Sequence, residues 1–108
     1  MKRTLYLVGL VFLAACSTKI VSPTQADVDA MKDTDPSITL ADLEAGKATY
    51  KNYCNMCHGY YAPSNYSAED LQKIIPNMVG KVNKKSGSMV VNDQMQQQLM
   101  QYVLAVRD

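Results

Sequence analysis

Two cysteines and the chain's only histidine stand together in Cys54-Asn55-Met56-Cys57-His58. Two thiols three positions apart, followed at once by an imidazole, can do four kinds of chemistry. A dithiol redox pair would follow a strand in an alternating strand–helix pattern, and no convincing strand precedes it here. A zinc site needs four ligands, and there is no second histidine and no second cysteine pair. A structural disulfide would leave the histidine unused. The spacing C-x-x-C-H is that of covalent haem attachment. Thiols one helical turn apart reach both vinyl groups of a rigid porphyrin, and the next residue lies beneath the iron. Cys54 and Cys57 are therefore the candidate thioether residues and His58 the candidate proximal iron ligand, with Asn55 and Met56 as spacers.

A second iron ligand is sought among seven methionines, most of which are expected to fill gaps in a core. Met56 lies inside the attachment motif and cannot reach the opposite haem face. Met95 and Met100 belong to the last helix. Met78, on an apolar helix face beside Pro76, is the first choice. Met89, in a short lead-in to the last helix, is the alternative.

The elements that must position these residues follow from periodicity and capping. Thr39-x-x-Asp42 reads as a capping box, and Leu40, Leu43, Lys47, Tyr50 and Cys54 recur at helical intervals, so a helix over 40–53 delivers the motif. Gly46 lies within it at a cost of about 1 kcal/mol relative to alanine. Close approach of the last helix, with Tyr102 as the packing ring, would offset that cost. Ser67 caps a second helix whose apolar face is Leu71, Ile74, Ile75, Met78 and Val79, and Pro76 should kink or end it near Ile75. Gly80 to Ser88 is polar and basic and reads as a loop. Asn92 caps a final helix with Met95, Leu99, Tyr102, Val103 and Val106 inside and glutamines outside. The expected fold is all-α: three main helices around one covalent haem.

The N-terminal end reads as an export signal. Lys2 and Arg3 precede the apolar run Leu5–Ala15, about 11 residues and too short to span a bilayer. Leu13-Ala14-Ala15-Cys16 resembles the lipobox of bacterial lipoproteins. The resemblance implies a diacylglyceryl group on Cys16, cleavage before it and acylation of the new amine. Several acyl chains hold a membrane far more firmly than one. The same resemblance implies, from Ser17 rather than Asp after the cysteine, an anchor in the outer membrane with the domain facing the periplasm. An ordinary secretory signal ending at Ala15 is the plainer alternative. The mixed Ser, Thr, Asp and Pro composition up to Ser37 reads as a flexible tether able to hold a domain tens of ångströms from lipid, with a short helix around Ala26–Lys32 as the other reading. The expected division is thus signal peptide 1–15, lipidated cysteine and tether 16–37, and domain 38–108.

Composition bounds the rest. Removing the first 15 of 108 residues leaves 93. A chain that short benefits from a bound apolar cofactor as a source of stability. Without Lys2 and Arg3 it carries nine basic against ten acidic residues, and no basic stripe suggests nucleic acid.

Gly46, Tyr50, Cys54, Cys57, His58 and Tyr102 together resemble the class I cytochrome c family, and the stretch Tyr61 to Met78 is similar to the short single-haem lipoprotein members. Those members commonly carry an aromatic where Leu71 stands, so the chain departs there. The resemblance covers residues 40–106. It implies one haem c with His and Met ligands and a carrier of single electrons between redox partner proteins, not an enzyme and with no small-molecule substrate. Lys51, Lys81, Lys84 and Lys85 would guide an acidic partner. Two other functions fit the residues less well: a cytochrome subunit of a larger oxidoreductase, and a haem-based ligand sensor, which would need an open sixth position.

Overall fold

The computed structural model describes residues 20–54 and 63–107. Helix α1 spans Gln25–Met31, α2 Leu40–Tyr53, α3 Ala68–Ser86 and α4 Asp93–Val106, with a 3-10 turn at Pro63–Asn65. Among the described residues all regular structure is helical, and no helix there is long and apolar enough to cross a membrane.

Every helix begins on a side chain that takes up a loose N–H. Thr24 and Thr39 form full capping boxes with Asp27 and Asp42. Ser67 accepts from the Asp70 N–H, and Asn92 from the Met95 N–H. Such caps contribute about 1 kcal/mol each. Asp42 has a further task. Its Oδ2 accepts from Thr39 and its Oδ1 accepts from Gln98 Nε2 of α4 at 3.2 Å, and these bonds, the one from Gln98 foremost, hold its carboxyl below the usual aspartate range.

The core forms where α2, α3 and α4 meet. Leu99, Tyr102, Val103 and Val106 of α4 are buried against Tyr50 of α2 and against Leu71, Ile75, Val79 and Val82 of α3. The α2–α4 crossing is so close that a Cβ on Gly46 would collide with the Gln98 carbonyl and with Tyr102 Cβ. The glycine expected to admit Tyr102 does so.

Three expectations are corrected. First, α3 does not end near Ile75; it runs through Pro76 to Ser86. Proline costs about 3 kcal/mol inside a helix, but Pro76 lies on the exposed side while Leu71, Ile75, Val79 and Val82 are buried along the other. Second, most of Gly80 to Ser88 is helix, not loop. Val82 is buried, Lys84 and Lys85 suit a helix C-terminus, and the stop comes only at Gly87 with φ of 74°. The connection to α4 is then closed by Asn83, whose Nδ2 donates to the Val91 carbonyl at 3.0 Å and whose Oδ1 accepts from the Val91 N–H at 2.9 Å.

Third, the described part of the expected tether is packed. Ile20 lies against the main core, Pro23 is buried, and α1 inserts Val28 between Ile38 and Leu43. Tyr102 Oη donates to the Val21 carbonyl at 2.5 Å, Lys47 Nζ to Ser22 Oγ at 2.8 Å, and Gln101 Nε2 to Asp35 Oδ2 at 2.7 Å. The short helix given as the other reading of this stretch, around Ala26–Lys32, is present as α1, with Val28 its buried residue.

Two glycines separate packing from propensity. Gly46→Ala should lower unfolding stability by about 2 kcal/mol or more through overpacking against backbone. Gly80→Ala, with open space around its Cβ, should raise it by up to about 1 kcal/mol. Chemical denaturation of both variants tests the contrast.

Candidate cofactor-binding site

Helix α2 ends at Cys54, which serves as its C-cap and donates its N–H to the Tyr50 carbonyl at 3.1 Å. Tyr50 and Cys54 are four residues apart, so their side chains share one face of the helix end. Both line a cavity of about 270 Å³, with Leu71, Ile74, Ile75 and Met78 of α3 as another wall, Val103 of α4 behind, and Pro63 and Tyr66 of the 3-10 turn region completing the lining. The volume stands just below the roughly 300–1,000 Å³ of ligand clefts.

Helix α3 builds its wall from residues of two kinds. Leu71 and Ile75 are buried and serve both the core and the cavity, Val79 and Val82 are buried in the core alone, and Ile74 and Met78 are half-buried and line the cavity. Four-residue spacing sets Ile74 and Met78 one above the other. Tyr66 and Leu71 occupy the positions just before the Ser67 cap and four residues after it, where apolar residues staple a helix start, and both line the cavity. Sequence reading passed over Pro63 and Tyr66; the staple rule applied to Ser67 would have found Tyr66.

The cavity's chemistry is apolar carbon with sulfur at two points, Cys54 and Met78. Burial pushes the Cys54 thiol up to about 11, so it stays neutral at physiological pH and is a poor thiolate nucleophile or redox thiol. Among the described residues no group of three or more His, Cys, Asp or Glu side chains could hold a metal ion. Apolar walls, a neutral thiol at a helix end and a thioether in the lining suit a largely apolar cofactor bearing a soft metal.

Of the expected site residues, Cys54 and Met78 meet in this cavity. Met89 does not: it is 73% exposed in the connection between α3 and α4. Met95 packs against the core and Met100 lines a separate groove beside α1. Cys57 and His58, Met56 between the two cysteines, and Cys16 lie outside the described residues.

Behind the cavity, the Tyr50 and Tyr102 rings lie 5.7 Å apart at 49°, an arrangement aromatic pairs favour. Burial first, and then the negative charges of Glu44 and an ionised Cys54, push the Tyr102 phenol up to about 12.

The described residues form a small all-helical domain with an apolar cleft at the end of its second helix. Comparison with known proteins adds no name to that class: no family model, curated protein or solved structure matches the chain.

The Tyr102 shift fixes a pH dependence. The folded state holds the phenol neutral beyond the unfolded value near 10. The stability this contributes is full below that value and is lost as pH rises towards 12. Denaturation midpoints should fall through this window, and Tyr102→Phe should flatten that fall while lowering neutral-pH stability by about 1 kcal/mol with the loss of the hydrogen bond to Val21.

Proposed function

We propose that the chain is a lipid-anchored, single-haem c-type cytochrome of the bacterial envelope that carries single electrons between redox partner proteins. The observation that supports this most is that Cys54 and Met78 line one apolar cavity, because Cys54 opens the C-x-x-C-H motif and Met78 is the methionine that the sequence favours as the second iron ligand.

Cys54 and Cys57 would hold the haem through thioether bonds, and His58 and Met78 would hold its iron. When bound, the haem supplies a one-electron iron couple. The chain's own residues do the rest. Leu71, Ile74, Ile75 and Val103 keep water from the site, and burial there favours a neutral cofactor and a higher potential. A thioether ligand raises the potential in the same direction. With His58 and Met78 both holding the iron, no place would be left for a substrate, which would favour electron transfer over catalysis. Met78 is preferred to Met89 because Met89 is exposed and its connection is closed by the Asn83–Val91 pairing.

Expressed in a host with haem-attachment machinery, the protein should show a sharp low-spin c-type spectrum and the mass of one covalent haem; a colourless product at bare polypeptide-plus-lipid mass removes the assignment. Cys54→Ala should cut covalent haem content severalfold. Met78→Ala should abolish the weak red charge-transfer band of an oxidised methionine–iron site, lower the potential and admit carbon monoxide, whereas Met89→Ala should leave all three unchanged.

A further inference from the structure

The lipid anchor proposed at Cys16 would be joined to the domain by a much shorter leash than the composition suggests. Residues 20–24 lie along the domain as a strap. Ile20 packs on the core, the Val21 carbonyl accepts from Tyr102, Ser22 accepts from Lys47, and Pro23 is buried. Only four Cα steps separate Cys16 from Ile20, a reach of at most about 14 Å fully extended.

The strap's position also gives the domain an orientation. Tyr102, which holds Val21, lies against Tyr50 in a tilted ring contact, and Tyr50 lines the cavity. The chain therefore leaves the domain one side-chain layer behind the cavity. At this exit Val21 is exposed, one of two large apolar side chains so placed among the described residues.

Resting on the lipidated-cytochrome reading, we propose that residues 20–24 dock the domain directly on the phospholipid surface, strap side down, with the cofactor cavity held close to the bilayer. The occupant of the strap face is lipid, because a 14 Å leash brings that face to the membrane and Val21 offers it apolar contact. A domain so held exchanges electrons with partners at the same membrane and cannot swing out to distant ones.

The test uses the full-length protein made in a host with lipoprotein and haem-attachment machinery. It is reconstituted in phosphatidylethanolamine–phosphatidylglycerol vesicles containing a headgroup-borne photo-crosslinking lipid. Crosslinks mapped by mass spectrometry should concentrate on residues 20–24 and be several-fold rarer on residues 84–94, at the opposite end of α4. Inserting a flexible Gly-Ser spacer of about 15 residues between Thr18 and Lys19 should lower the strap crosslinks several-fold and even out the distribution. Crosslinks spread evenly in the parent protein, or unchanged by the spacer, overturn the strap proposal while the cytochrome reading stands. Intact mass separates the other failures. A chain without lipid on Cys16 overturns the anchor and the strap docking together. A chain with lipid but without haem sinks the cytochrome reading and leaves the crosslink pattern to decide the docking.

Discussion

The close crossing of α2 and α4 at Gly46 is the constraint on which the other parts rest. Gly46 presents a bare Cα to the Gln98 carbonyl and to Tyr102. Around that point the two helices are fixed by bonds of three kinds: the Asp42–Gln98 hydrogen bond, the Tyr50–Tyr102 ring contact, and the burial of Leu99 and Val103 beside Tyr50. Because the crossing sits two turns before the end of α2, it also sets where Cys54 is delivered. A looser crossing would move Cys54 and the cavity's aromatic wall together.

The cavity then follows from a geometric shortfall. Helix α3 packs on α4, and the end of α2 packs on α4, but the space between α3 and the end of α2 is left unfilled by Leu71, Ile74, Met78, Tyr50 and Cys54. Small helical domains ordinarily close such gaps, since an unfilled apolar void costs stability. Here one wall of the gap is Cys54, the first residue of the C-x-x-C-H motif. A chain of this size gains most from a ligand that fills the gap, because binding to the folded state alone stabilises it.

Much of this arrangement was legible in the sequence, and the failures share a cause. Caps are local, so Thr39, Ser67 and Asn92 were read correctly from three-residue spacings. Gly46 was legible because a glycine inside a helix demands a reason, and Tyr102 supplied it. The helix end expected as one outcome at position 76 does not occur, since the proline rule speaks of intrinsic cost and says nothing of the tertiary burial of Ile75, Val79 and Val82 that outweighs it. Gly80 to Ser88 misled through composition: a helix edge that is mostly solvated looks like a loop unless Val82 and Asn83 are known to face inward. The strap was hidden because what holds it comes from far along the chain, whereas α1, the helix given as the other reading around Ala26–Lys32, packs on Ile38 and Leu43 close by in sequence. Tyr102 and Gln101 reach back to Val21 and Asp35 across more than sixty residues. Within the cavity, Met78 could be selected from its helix face, but its separation from Met89 depended on the Asn83 pairing, which no periodicity announces.

That pairing has a mechanical consequence. Asn83 binds both the donor and the acceptor of Val91, as a neighbouring strand would, so the turn joining α3 to α4 has no free hinge. Met78 stands five residues before Asn83, about 7.5 Å along the same rigid rod. The span between the thioether of Met78 and the end of α2 is thus governed from outside the cleft, by one amide acting as a bolt at the fulcrum of a bracket. Such a bracket resists opening when the charge inside it changes; under the proposed electron-carrier role, that stiffness would leave the site little to reorganise when an electron arrives.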